Sequence, residues 1–271
     1  RVPLPAHGAG PAAAAMRSLL FVPGDRPERL EKALGLAADA LILDLEDSVA
    51  PASKAAARGA VAAFLGRAPR ASGPRLFVRV NPLDSGLIDD DLAAVLPARP
   101  DGLVLPKADG ADSIRSLVTR APGVPILPIA TETPAAIFRL GEYGAVAPYL
   151  AGLTWGAEDL PAAIGAATAR EADGSYADPY RVARALTLFA AAAAGLPPIE
   201  TVYPDIRDPD GLQRYAERAA RDGFTGMMAI HPSQIAPINA AFTPSAEAVA
   251  RARAIVAAFE AAPGAGVLQV D

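Results

Sequence analysis

From Arg17 onward the chain repeats one pattern eight times: a short apolar, β-rich run, then a segment with helical character. The runs are SLLFV (18–22), ALILDL (40–45), RLFVRV (75–80), GLVLP (102–106), PILPIAT (125–131), LAGLTW (150–155), ETVYP (200–204) and GMMAIH (226–231). Most lack the alternation of a strand with one wet face, so they read as parallel strands covered on both sides. Helix signals fill the gaps. Pro27 opens a segment reaching Ala38, and Pro134 opens 134–142, each at a first-turn position. Charges spaced on an alanine background mark 208–222 and 245–261, and 87–97 follows the turn residues NPLDSG. Segment 157–195 reads as a short helix, a polar loop and a long alanine-rich helix. Eight βα units in about 245 residues predict a single-domain (β/α)8 TIM barrel spanning 16–271. An open doubly wound sheet is the competitor, but it usually needs fewer strands.

Composition narrows the function classes. With 52% hydrophobic residues the chain is not generally disordered. A net charge of −5, with no dense basic run, argues against nucleic acid as a partner. No stretch approaches the ~18 uncharged apolar residues of a membrane span. The chain has no cysteine, hence no disulfide, thiolate nucleophile or thiolate metal site, which suits a cytoplasmic protein. Residues 1–15 lack helical or strand periodicity and a continuous apolar run, so they read as a flexible leader rather than a signal peptide.

A barrel gathers chemistry at the C-terminal ends of its strands. Those ends carry Gly24-Asp25-Arg26, then Asp44/Glu46/Asp47, Arg79-Asn81, Lys107, Glu132, Glu158/Asp159, Asp205 and His231. So many carboxylates on one rim repel each other unless a cation intervenes. Oxygen donors without cysteine, and with one usable histidine, point to Mg2+ or Mn2+ rather than zinc. Glu132 and Asp159 end neighbouring strands and can be the direct pair, with the acids of 44–47 holding metal-bound waters. Simpler readings stand beside these. Asp44 can pair with Arg79 as a structural salt bridge, and Glu158 can be a solvent-facing loop residue. Lys107 can be a surface lysine, and His231, before Pro232-Ser233, can satisfy local backbone. A guanidinium at Arg79, inside the run Phe77–Val80, needs an anionic partner, either a structural acid or a substrate carboxylate. Neither a nucleophile elbow nor a phosphate loop is present.

Seven segments then carry a resemblance. RSLLFVPGDRPERLEKA (17–33), LILDLEDSVAPASKAAAR (41–58), FVRVNP (77–82), LPKA (105–108), ETP (132–134), WGAEDL (155–160) and IHPSQI (230–235) run in family order over nearly the whole chain. In these the sequence resembles the citrate lyase β-subunit-like proteins of the HpcH/HpaI aldolase superfamily. The resemblance implies a Mg2+-dependent lyase that cleaves or forms a citryl-, citramalyl- or malyl-type thioester, giving an acyl thioester and a 2-oxo acid. It implies Glu132 and Asp159 as metal ligands, Arg79 as the substrate-anchoring arginine, and Glu46 and Asp47 as the metal's outer shell. Phe21, Arg26 and Lys32 fall in the segment that approaches coenzyme A in relatives, and Pro204-Asp205 near the thioester arm. A homo-oligomer, trimeric or a multiple of three, is also implied. In relatives an aspartate of a C-terminal lid serves as acid/base beyond a segment like GAGVLQVD (264–271), so the expectation here is a missing lid and an unassigned base. Two other readings accompany the lyase: an aldolase acting on free hydroxy-oxo acids without coenzyme A, and a non-catalytic subunit that needs partners for turnover.

Overall fold

The computed structural model describes residues 16–69, 73–262 and Gly264. The expected leader (1–15) and the segment 265–271, with the lid argued from it, lie outside the described residues. Eight strands follow one another: β1 (Ser18–Pro23), β2 (Ala40–Asp44), β3 (Arg75–Arg79), β4 (Gly102–Leu105), β5 (Ile126–Pro128), β6 (Leu153–Thr154), β7 (Pro198–Glu200) and β8 (Gly226–Ala229). All pairings are parallel, in the order β5-β4-β3-β2-β1-β8-β7-β6. The two ends of that row meet. Ile126 bridges Leu150 and Ile129 bridges Thr154, both in parallel, with Ala130 N donating to Thr154 O at 2.9 Å. The sheet therefore closes into the expected barrel.

Around it lie α1 (Pro27–Ala33), α2 (Lys54–Arg67), α3 (Ile88–Val95), α4 (Gly110–Arg120), α5 (Pro134–Ile137), α6 (Leu160–Ile164), α7 (Asp178–Ala194), α8 (Pro209–Asp222), α9 (Ile235–Ala241) and α10 (Ala246–Ala261). Several elements are shorter than expected: the first helix ends at Ala33 rather than Ala38, and strands five, six and eight are Ile126–Pro128, Leu153–Thr154 and Gly226–Ala229 rather than 125–131, 150–155 and 226–231. Strand seven is Pro198–Glu200 rather than 200–204, because a proline is tolerated as the first residue of a strand and Pro204 has no amide to give a ladder. The Tyr203 carbonyl leaves the sheet and accepts from Gln234 Nε2 instead. The helix opened by Pro134 stops at Ile137, and a run of 3-10 turns continues over Leu140–Tyr149, where Gly141, Gly144 and Pro148 disfavour an α-helix.

Alternation along each strand separates two cores. Leu20, Val22, Leu41, Leu43, Leu76 and Val78 point outward and pack beneath the helices. Leu19, Ile42, Phe77, Val104, Leu127 and Met228 point inward and fill the barrel. Continuing the inward parity one step toward the C-terminal ends reaches Asp44 and Arg79, which are in register with each other across β2 and β3. The same parity puts Phe77 beside Gly102 on β4. A Cβ at Gly102 would lie 2.2 Å from Phe77 Cε1, so the phenyl ring occupies the room that the missing side chain leaves.

Gly102→Ala should therefore destabilise the barrel by about 1–3 kcal/mol, the usual cost of overpacking. Urea denaturation of Gly102→Ala, Phe77→Leu and the double variant checks it. The double variant should lose less than the sum of the single losses.

Candidate active site

The loop after β2 begins with a carboxylate that has no free valence. Asp44 is fully buried and accepts from Arg79 Nε and Nη2 at 2.7 Å each, from Glu46 N at 2.9 Å and from Ser48 N at 3.0 Å. Burial pushes this carboxyl up, but the hydrogen bonds and charge of Arg79, with the two amides, outweigh it and hold Asp44 below the ordinary range. The structural reading of Asp44 is the one observed. Its job is to aim Arg79.

The guanidinium is fixed on its other sides too. Nη1 lies 2.8 Å from Glu46 Oε2, an ion pair not aligned as a hydrogen bond, and 3.8 Å from Asp47 Oδ2. The Phe21 ring lies 4.7 Å from the guanidinium carbon. Behind the loop, Lys54 Nζ donates to the carbonyls of Leu45 and Glu46 and to Asn81 Oδ1, while Asn81 Nδ2 donates to buried Asp91. Sequence reading passed over Lys54 and Asp91, which sit on helices with nothing local to distinguish them.

Lys107 is exposed at the rim, yet it is among the most connected groups there. It adopts a left-handed backbone conformation (φ 50°), which turns both its amide and its side chain toward acids. Its amide donates to Glu132 Oε2 at 2.5 Å, and its ammonium reaches Asp159 Oδ2 at 2.6 Å and Glu46 Oε1 at 3.3 Å. One residue thus touches three carboxylates from three strand ends. Burial favours loss of its proton, yet the hydrogen bond it donates to Asp159 and the charges of Glu46 and Glu132 raise its pKa instead. Its only signal in sequence was its place in LPKA at the end of β4.

These groups surround a cavity of about 390 Å3 at the barrel mouth, lined among others by Phe21, Asp47, Arg79, Glu132 and Asp159. Ile129, Val202, Met228 and Ile230 form its apolar wall. Glu46 lies behind the lining. Arg26 and Lys32 are exposed on the β1–α1 connection and α1, outside the lining, and Arg26 faces Asp25 at 3.7 Å. Pro204 and Asp205 do not join this cavity either; they line a neighbouring one. Glu158 is solvent-exposed at the rim. His231 caps the turn Pro232–Gln234, its Nδ1 accepting from Ser233 N at 3.3 Å, which is the backbone role expected of it.

The donor set fits a hard divalent cation that keeps open positions. Among the described residues no three His, Asp or Glu side chains cluster as a self-sufficient metal cage. Two carboxylates on one cavity, with room for substrate oxygens and water, are what Mg2+ ordinarily takes from a protein. Glu132, only 7% exposed, needs such a charge: burial, with Glu46 and Asp159 nearby, pushes it up to about 7 against the pull of Lys107.

A pH dependence follows. Without metal, folded Glu132 keeps a proton between about pH 4.5 and 7 that the unfolded chain has lost, so stability falls as pH rises through that window. Burial raises Glu46 in the same direction. Urea midpoints of chelator-treated protein should drop from pH 5 to 7.5. Saturating Mg2+ should flatten the slope, and Glu132→Gln should reduce it without metal.

Comparison with known proteins places this geometry. The family model HpcH/HpaI aldolase/citrate lyase matches residues 17–232. A citrate lyase subunit beta-like protein of Mycobacterium tuberculosis is 40% identical over 246 residues, 91% of this chain and 86% of that protein. A (3S)-malyl-CoA thioesterase of Cereibacter sphaeroides is 36% identical over 268 residues, 98% of this chain and 90% of that protein. The crystal structure of CitE from Mycobacterium tuberculosis with magnesium, acetoacetate and coenzyme A is 38% identical and superposes with a TM-score of 0.81, covering 94% of this chain and 91% of that one. A family model over most of the chain, a relative at 40% identity and a shared closed barrel agree: this chain belongs to the HpcH/HpaI aldolase/citrate lyase family.

Proposed function

We propose that the protein is a Mg2+-dependent carbon–carbon lyase that cleaves or forms a malyl-, citramalyl- or citryl-type thioester of coenzyme A. One observation carries it: Glu132 and Asp159 line the same cavity as an arginine that Asp44 locks in place. The relatives support the ligand class, since one is named for malyl-CoA and a solved neighbour holds magnesium, a 3-oxo acid and coenzyme A. Glu132 and Asp159 would hold Mg2+, which when bound supplies Lewis-acid polarisation of coordinated oxygens.

The chain's own groups do the rest. Arg79, already desolvated and oriented, offers fixed positive charge to the oxygen on which negative charge builds as the C–C bond breaks. In that step the hydroxyl gives its proton to a general base and becomes the oxo group of the 2-oxo acid. The bonding pair moves to the thioester α-carbon, which then takes up a proton to give the acyl thioester. Glu46 and Asp47 hold Arg79 from the far side, and from there would order the water around the cation. Phe21, Ile129, Val202 and Met228 make the reacting face apolar and keep bulk water from the enolate. Phe21, which lines the mouth, would meet the thioester, Arg26 and Lys32 outside it would receive the charged part of coenzyme A, and Pro204-Asp205 would lie beyond the thioester arm.

A thioesterase is the second reading, favoured by the 36% identity to a malyl-CoA thioesterase. The products separate the two. Cleavage of malyl-CoA by a lyase yields glyoxylate and acetyl-CoA with no free thiol, whereas hydrolysis yields malate and a titratable thiol. With Mg2+ the expected products are the oxo acid and acyl-CoA from one of malyl-, citramalyl- or citryl-CoA. Glu132→Gln and Asp159→Asn should abolish Mn2+ binding measured by electron paramagnetic resonance. Arg79→Lys should bind the metal but lose about 10²–10³-fold in kcat, the usual size of a lost oxyanion contact. A free thiol without oxo acid would decide for the thioesterase. No cleavage of any thioester by folded, metal-bound protein would sink both.

The protein acts as a homo-oligomer, a trimer, in the cytoplasm. No helix among the described residues is long and apolar enough to cross a membrane. Helix α10 has no buried residue along its length, and Val249, Ile255, Val256 and Phe259 are all exposed, a surface that another copy would cover. Light scattering after gel filtration should give three times the 27.7 kDa chain mass. Val256→Glu with Phe259→Glu should shift it to the monomer.

A further inference from the structure

The neighbouring cavity, about 490 Å3, opens between the loop after α6 and the start of α8 and is lined by three arginines, Arg170, Arg214 and Arg218. Their donors are spent unequally. Arg170 is a fixed wall: Nη2 donates to the Tyr176 hydroxyl at 2.9 Å, Nη1 to the Gly174 carbonyl at 3.0 Å, and its guanidinium stacks 4.1 Å from the Tyr176 ring. Arg214 and Arg218 pair with no carboxylate among the described residues. Arg218 rests over Tyr215 at 5.4 Å, and its Nε is buried with no acceptor.

Three aspartates line the same cavity and yet form no ion pair with these arginines: the charge of Arg214 reaches Asp208 only at a distance, and each carboxylate is turned to local groups. Asp208 accepts from Tyr203 Oη at 2.7 Å and Gly211 N at 2.8 Å, where it caps α8. Asp173 accepts from Ser175 N and Oγ, and Asp205 accepts from Arg207 N. A buried guanidinium N–H left without an acceptor is costly, and no acid in its reach repairs it. Planar N–H forks on two neighbouring turns of α8 match the oxygens of a tetrahedral oxyanion, with Tyr203 and Tyr176 as flanking walls.

We propose that this cavity is a binding site for a phosphate-class oxyanion, separate from the reacting centre at the barrel mouth. The ligand accepts from Arg214 and Arg218 and abuts the Arg170–Tyr176 stack. Two sources share this chemistry: a free inorganic oxyanion, and the phosphates of a free nucleotide distinct from the thioester substrate. The residues adjoin Pro204 and Asp205, so either would sit beside the segment that leads back to Thr201 and Val202 of the mouth.

Calorimetric titration of chelator-treated protein with inorganic pyrophosphate tests the site, since a chelator removes competition from bound cation. Wild type should show saturable binding. Arg214→Ala with Arg218→Ala should weaken it at least tenfold, and the paired lysine variants should fall between, keeping charge but losing the fork. Neither arginine is fully buried, so the double variant should melt within a few degrees of wild type. Arg115→Ala with Arg120→Ala, two arginines of α4 away from this cavity, should bind pyrophosphate as wild type does. Adenosine 3′,5′-bisphosphate distinguishes the sources: tighter binding than pyrophosphate that the Arg214/Arg218 variant loses assigns the nucleotide, and weaker binding assigns the free oxyanion. The proposal is overturned if wild type does not bind pyrophosphate, or if binding survives the Arg214 and Arg218 variants. Loss in the Arg115/Arg120 variant would likewise overturn it. None of these readouts depends on lyase turnover.

Discussion

The pair between Asp44 and Arg79 is the constraint on which the site rests. Asp44 is fully buried and Arg79 largely so, they face each other across β2 and β3 in register, and two hydrogen bonds of 2.7 Å fix their orientation. A charge pair removed from water is neutral to stability at best, but breaking one half leaves a buried charge that costs about 3–5 kcal/mol. The fold therefore cannot easily release Arg79. That fixity is useful in a lyase, because a preoriented charge needs no reorganisation when an oxygen becomes negative.

Around that pair the rim alternates sign. Glu46 lies between two cations, Arg79 and Lys107, and Lys107 lies between Glu46 and Asp159 while its amide holds Glu132. Each acid is thus partly compensated by the protein. Glu132 is the least compensated: its nearest donor is an amide, and burial pushes its proton affinity up. The site leaves one charge deficit, and it lies at the carboxylate that a divalent cation would meet inside the cavity.

Much of this was legible beforehand, for definite reasons. Apolar runs without alternation betray strands covered on both faces, and eight of them at regular intervals leave few ways to close. Barrel topology alone then sent Glu132, Asp159 and Arg79 to one rim, where the structure has them on one cavity. What the pattern misjudged were features set by backbone geometry or distant packing. Strand seven moved because Pro198 can start a strand while Pro204 cannot bond within one. Lys107 is exposed, as a surface lysine is, but the left-handed φ that turns its amide to Glu132 is invisible in a residue other than glycine. Lys54, Asn81 and Asp91 support the β2 loop from α2, the β3 loop and α3, and no local motif links them.

By itself, the sequence determined the repeating βα order, the inward and outward faces of each strand, and the acids, arginine and lysine delivered to strand ends. These follow from period and polarity, which are local properties. Only the tertiary structure decided which acid is committed and which is available. Asp44, Glu46 and Asp47 stand within four positions, yet one is saturated by Arg79 and two amides, one is held between two cations, and one faces solvent at 64% side-chain exposure. Partnership of that kind depends on what neighbouring strands and loops place within about 3 Å, the reach of a hydrogen bond. Residues far apart in the chain set it, so nothing in the stretch ALILDLEDSV alone could specify it.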